Sequence, residues 1–247
     1  ISSIRLSTRP DAIDAETLAR LKKYSVQTVE LGAQSLCDNV LWLSNRGHTA
    51  KEVEEAARMV KQAGFELILQ MMTGLPGDTD ESCVETAKRI IALRPDGVRI
   101  YPTVIVRDTE LYDMWKAGTY KEHTVSDAVR VCAKITKLFD EAGIPIIRMG
   151  LNPTEDLSGG DAVGGAYHPA LGELVRSRMM LDKAVELLDG VEPDKRAVLG
   201  VNKSDVSKMV GQHRCNAEAL KTQFKLKSLK IIQTDINSGE IKLLSLD

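Results

Sequence analysis

A strand-like run, a tight turn and an amphipathic helix recur along this chain roughly every 35 residues, and that rhythm restricts it to an α/β architecture. The clearest unit begins with Phe65–Thr79, FELILQMMTGLPGDT. Its apolar, β-favouring residues stop abruptly at Gly-Leu-Pro-Gly, as a buried strand does on meeting a turn. Asp78, Thr79 and Asp80 then offer N-caps for a helix over Glu81–Leu93. In α/β proteins ligands gather at such strand ends, where loop amides are exposed.

The flanking segments repeat the theme. Ser2–Ser7 reads as a strand closed off by Pro10, with Asp14 as N-cap of a helix over Ala15–Tyr24. Val26–Gly32 is a second strand with Glu30 in an apolar setting, followed by a helical turn at Val40–Ser44. Thr49 and Glu52 form a capping box for Ala50–Ala63, and Gly64 stops that helix. Val98–Ile100 leads through Tyr101-Pro102-Thr103 into Val104–Val106, a short helix begins near Asp108–Glu110, and Ser126–Ala142 is amphipathic. Ile144–Met149 supplies a fifth strand. Five such units fall short of an eightfold barrel, so the fold expected is α/β, the later portion of a partial (β/α)₆ TIM-like barrel.

The pattern changes after Gly150. Asn152–Tyr167 reads as loop and Ala170–Leu188 as helix, and a small α+β appendage begins at Pro193. There Ser204 caps a short helix, a second helix spans Asn216–Lys225, and a hairpin joins Leu229–Thr234 to Glu240–Leu244 through Asn237-Ser238-Gly239. This gives a barrel at 1–150, a connecting loop and helix at 151–192, and the appendage at 193–247. With 43% hydrophobic and 28% charged residues, the composition is that of a globular protein. No apolar run reaches the ~20 residues of a membrane span.

Cys37, Cys83, Cys132 and Cys215 show no metal-ligand spacing, which points to reduced thiols in a cytoplasmic protein. The net charge of −2 implies no polyanionic partner for the whole chain. Residues 193–230, however, hold nine Lys/Arg against three Asp/Glu. That excess suits either phosphates or a solvated helix face.

Five strand-end segments occur together in order: TRPD at Thr8–Asp11, VELGAQS at Val29–Ser35, NRGHT at Asn45–Thr49, MMTGLPG at Met71–Gly77 and RIYPTVIVRDTELYDMWKAGTY at Arg99–Tyr120. Over about the first 150 residues this set resembles the barrel of radical S-adenosylmethionine (SAM) enzymes, in particular the Elongator catalytic-subunit branch and its bacterial relatives. The resemblance implies a [4Fe–4S] cluster, held by CxxxCxxC, that cleaves SAM to a 5′-deoxyadenosyl radical. It places that motif, and the glycine-rich segment receiving the SAM amino group, upstream of Ile1. An opening Ile inside a strand agrees with a missing N-terminal portion. The expectation is a chain that holds neither cluster nor radical on its own and that carries no acetyltransferase domain.

What the resemblance implies here is one wall of a SAM pocket. Gln34 with Ser35 and Arg46 meet the SAM ribose and carboxylate, a guanidinium being suited to pair bidentately with a carboxylate. Gln70 stands where relatives bond the ribose, and Met72, Gly74 and Leu75 run beside the adenine. Arg9, Tyr101 and Thr103 face the substrate side, and tRNA is the implied substrate, with the basic region 193–230 as its contact. Plainer readings stand beside these. Arg46 and His48 serve equally as helix caps or as partners of Glu30; Glu30 as a buried charge held by an Arg; Met71 and Met72 as core; His168 as a loop residue on Pro169; His213 as exposed. A radical SAM enzyme acting on a small molecule or protein, and a cluster-free TIM-like binding module or lyase, are the alternatives in function.

Overall fold

Strands β1 (Ile4–Thr8), β2 (Val26–Gln34), β3 (Glu66–Thr73) and β4 (Gly97–Pro102) lie side by side in sequence order. β6 (Ile146–Met149) follows β4, and every pairing in this five-stranded sheet is parallel. The computed structural model describes residues 3–151 and 161–247 and divides into two units, Ile1–Leu171 and Gly172–Asp247. The sheet and its helices belong to the first. It is the α/β partial barrel that the spacing of the units predicts.

Each crossover helix starts at a residue chosen for its side-chain oxygen. Asp14 accepts from the Thr17 amide at 2.7 Å to begin α1 (Ala15–Lys23). Thr49 and Glu52 close a capping box on α3 (Ala50–Gln62), which follows the short α2 (Asp38–Leu43). Thr79 pairs with Ser82 at α4 (Asp80–Ala92), and Thr124 pairs with Asp127 at α6 (Val125–Glu141). Such caps satisfy amides that the helix itself leaves open and contribute about 1 kcal/mol each. Between them lies α5 (Glu110–Lys116), capped by Thr109.

The two faces of the sheet differ in chemistry because strand residues alternate sides. Val29, Leu31, Leu67, Leu69, Met71, Val98 and Ile100 are fully buried on the face covered by α3, α4 and α6. On α6 the spacing of Ala128, Val131, Cys132, Ile135 and Phe139 supplies the matching stripe. Each large side chain buried this way contributes about 2 kcal/mol. The opposite, inner face carries Glu30, Gln70, Arg99 and Tyr101. Glu30, only 3% exposed, accepts from Arg5 Nη2 at 3.0 Å, with Arg99 Nε 3.3 Å away. The charge in an apolar setting is thus held by two arginines.

Val104–Val106 departs from the expectation that it extends the fourth strand. As β5 it leaves the sheet and pairs antiparallel with β7 (Ala162–Gly165). Thr103 makes the break: its amide and hydroxyl both bond the Thr73 carbonyl, at 2.9 and 2.8 Å, and so close the end of β3. The loop expected at Asn152–Tyr167 therefore contains a strand; its residues 152–160 lie outside those described.

In the second unit, β8 (Arg196–Val201) lies between β9 (Ser228–Gln233), parallel to it, and β10 (Ile241–Leu246), antiparallel. The expected hairpin between the last two strands does not form. Ala197, Leu199 and Val201 are too apolar for an edge and take the centre, separating the two. Met180, Ala184 and Leu188, on and just beyond α7 (Leu171–Leu187), pack against them with Met209 of α8 (Val206–Val210) and Leu220 of α9 (Cys215–Gln223). The helix assigned from sequence to a connecting segment is thus part of this core. Asn202, rather than Ser204, caps the turn before α8, accepting from the Ser204 amide at 2.9 Å.

Candidate functional site

The C-terminal ends of β2 and β3 bring three of the singled-out side chains together. Gln34 closes β2 in the left-handed backbone region, φ 63°, a conformation that costs a non-glycine residue about 1 kcal/mol or more. That turn brings its carboxamide to Gln70 of β3, whose Nε2 donates to Gln34 Oε1 at 3.0 Å. Gly32, the register partner of Gln70, leaves room between them. A Cβ there would lie 2.8 Å from Gln34 Nε2 and 3.8 Å from Arg46 Nη2. Gln34 and Arg46 thus crowd the bare Gly32, where a side chain would push the Gln34 carboxamide from its place beside Gln70.

Arg46 is half-buried and has no carboxylate partner among the described residues; its buried Nε has no hydrogen-bond acceptor. Burial first, then the nearby Arg9 charge, pull its guanidinium below the ordinary arginine value. Arg9 is itself committed: its Nε and Nη2 each donate to Asp11 at 2.9 Å, and Nη2 donates to the Arg46 carbonyl at 3.0 Å. The same loop leaves two further buried atoms unpaired, Ser44 Oγ and His48 Nδ1. His48 is buried against β2, its Nε2 3.2 Å from the Ala33 carbonyl. Neither Arg46 nor His48 meets Glu30, whose partners are Arg5 and Arg99. Buried polar atoms left unpaired cost free energy, and three of them fall in this one five-residue loop.

The other expected residues take different places. Ser35 is buried, its hydroxyl 3.3 Å from Thr86 Oγ1 of α4 and accepting from the Cys37 amide at 3.1 Å. Thr103 is occupied by the Thr73 carbonyl, as described. Met72 and Tyr101 are register partners on the inner face, and the Tyr101 hydroxyl accepts from Arg99 Nη1 at 3.0 Å. Gly74 and Leu75 line a separate cavity of about 460 Å³, with Asp78, Tyr120, His123 and Arg130 on its walls. The side chains around the turn there engage one another and its first residue. Asp78 accepts from the Gly74 amide and Cys83 Sγ, both at 3.0 Å, and from Ser82 Oγ; Tyr120 donates to the Gly74 carbonyl at 2.6 Å. His123 Nε2 lies 3.1 Å from Thr73 Oγ1, and burial holds the ring below the usual histidine pKa. Tyr120 ends the fifth sequence motif without a role of its own and His123 lies just beyond it; neither carries a strand-end signal.

Sequence and structure comparison agree on kinship. Residues 1–90 match the family model of the radical SAM superfamily, and residues 95–180 that of the radical SAM C-terminal domain. Elongator complex protein 3 of Homo sapiens is 34% identical over 179 residues, 71% of this chain and 32% of that protein. The Saccharomyces cerevisiae protein of the same name is 37% identical over 138 residues, 55% of this chain and 25% of that protein. The chain thus spans about a third or less of the length of these relatives. The solved archaeal Methanocaldococcus infernus Elp3 superposes with a TM-score of 0.65 at 28% identity, over 78% of this chain and 47% of that one.

The family implies SAM and a [4Fe–4S] cluster. For SAM the residues fit: an unpaired half-buried guanidinium, a carboxamide pair and the bare Gly32 suit a ligand with a carboxylate and ribose hydroxyls. For the cluster they do not: among the described residues no three His, Cys, Asp or Glu converge on a metal, and the four cysteines are unpaired and scattered. Nor is any helix among the described residues long and apolar enough to cross a membrane. Its two matched models and its barrel place the chain in the radical SAM superfamily, resembling Elongator complex protein 3.

Proposed function

We propose that this chain forms the SAM-binding wall of a radical SAM enzyme that modifies RNA, with a tRNA base as its target. The observation that carries the reading is the Arg46 guanidinium, half-buried and in no ion pair among the described residues, beside Gly32 and the Gln34–Gln70 pair. Arg46 would pair with the SAM carboxylate, and the two carboxamides would bond the ribose hydroxyls. Met72, on the inner face beyond Gln70, would border the adenine, with Gly74 and Leu75 shaping the turn beyond it. Bound SAM supplies the adenosyl group from which this family draws its radical chemistry. The residues of this chain would bind and orient it.

The RNA part of the reading rests on the kinship with Elongator complex protein 3 and on the basic region 193–230. Of its nine cations, Lys208 forms an ion pair, with Asp205 at 2.6 Å, while Lys203, Arg214, Lys221, Lys225, Lys227 and Lys230 are exposed. Filter binding of tRNA to the full-length protein across a salt series tests it. Retention that falls steeply with salt is expected, and salt-independent or absent retention would remove RNA from the proposal.

A further inference from the structure

In the second unit, β8, α8, α9 and β9 follow one another as strand, helix, helix and parallel strand. The two helices meet in the turn Gly211-Gln212-His213-Arg214, where Gly211, His213 and Arg214 take positive φ of 77°, 50° and 65°. The first place needs glycine: a Cβ there would lie 2.7 Å from Cys215 Sγ and 2.9 Å from the Asn216 amide nitrogen. Asn216 is buried and fixes the start of α9, its Nδ2 lying 3.0 Å from Ser177 Oγ and 3.1 Å from the Ser177 and Lys208 carbonyls. The turn is thus held in place while Gln212, His213 and Arg214 stand exposed.

Charge points the same way. Residues 211–230 hold five Lys/Arg against the single acid Glu218. Asp205, just before α8, is buried and committed to Lys208 Nζ, Ser238 Oγ and the Gly239 amide. Arg214 occupies the N-cap of α9 and its side chain makes no capping bond, so a full positive charge stands at the positive end of the helix. A phosphate turns that repulsion into attraction. Beside the helices, β9 is the outer strand of its sheet. Val206 of α8 and Leu229 and Ile231 of β9 pack on the core yet remain partly open, an apolar floor suited to bases.

We propose that the Gly211–Arg214 turn clamps the sugar-phosphate backbone of a single-stranded RNA segment, whose bases lie toward α8 and the edge of β9. KH modules grip about four nucleotides with a Gly-x-x-Gly turn. Here Arg214 takes the place of the second glycine and keeps a left-handed backbone there. That the strand belongs to a tRNA rests on the proposed function; the clamp does not. The test follows the fluorescence anisotropy of an unstructured RNA of about eight nucleotides with the full-length protein, and of the same RNA annealed to its complement. Gln212→Asp combined with His213→Asp is compared with Lys225→Glu, which changes the charge equally but roughly 15 Å away, beyond the far end of α9. All three positions are exposed, and the thermal midpoint checks folding.

The single strand is expected to bind about tenfold tighter than the duplex. The double variant should lose about tenfold or more in affinity and Lys225→Glu about threefold or less. No binding of the single strand, a duplex bound equally well, or equal losses in the two variants would overturn the clamp. Steeply salt-dependent tRNA retention would still stand in those cases, and the proposed function with it. Single-strand binding without tRNA retention would do the reverse, keeping the clamp and removing tRNA. If the double variant does not fold, hydrogen exchange of the wild type decides. Protection by the RNA centred on residues 206–216 is expected, and none there would overturn the proposal.

Discussion

The loops that follow β2 and β3 differ in one physical respect. The turn at Gly74–Thr79 engages its side chains, with Asp78 collecting an amide, a hydroxyl and a thiol, and Tyr120 and His123 bonded at the strand end. The loop from Ser44 to His48 does the opposite, leaving Ser44 Oγ, Arg46 Nε and His48 Nδ1 buried and unpaired. Engaged side chains hold a turn together, whereas buried polar atoms without partners carry a free-energy cost. Under the proposed reading, the Gly-Leu-Pro-Gly turn lends the strand end its shape, and the contacts to SAM gather one strand away.

The contrast is open to attack at several points. Gly74→Ala should have the largest effect on stability. The added Cβ would lie 2.1 Å from His123 Cγ, at a backbone φ of 75°. Displacing the ring and straining the turn together should cost about 2–4 kcal/mol in urea unfolding. An unchanged midpoint would show the turn to be loose. Asp78→Ala comes next, since it strands the Gly74 amide and the Ser82 and Cys83 donors, with an expected loss of about 2 kcal/mol and no direct effect on SAM. In Arg46→Ala the order is inverted: stability should stay within about 0.5 kcal/mol, because no pairing is lost.

The smallest effect concerns pH. The folded-state pKa of His123 is depressed below its ordinary 6.5 by burial, so below that value the unfolded chain binds the extra proton. Its contribution to stability is present above pH 6.5 and fades as pH falls through the window below it. Thermal midpoints of His123→Gln should therefore fall less steeply than wild type between pH 7 and 5; parallel curves would exclude His123 as the source.

Much of this was legible in the sequence, for particular reasons. The parallel sheet followed from β-favouring runs separated by capped helices, and Asp14, Thr49 and Thr79 announced their caps through spacing alone. Glu30 showed as a charge in an apolar run, although its partners Arg5 and Arg99 come from strands on either side and no local pattern names them. The β8-centred sheet was misread as a hairpin because proximity in sequence favoured β9 and β10, while the buried run Ala197–Val201 claims the central place. Ser35 and Thr103 look like ligand contacts in one dimension, yet Thr86 and the Thr73 carbonyl take up their hydroxyls. Gly32 stands in the VELGAQS segment with no role assigned to it; its place beside Gln70 appears only when the register is set.

The central claim is that Arg46 waits for the carboxylate of SAM, and calorimetric titration of SAM into the full-length protein meets it most directly. The account predicts that Arg46→Ala weakens SAM binding by about tenfold or more while the thermal midpoint holds. Equal SAM affinity in wild type and variant, with both folded, would contradict it.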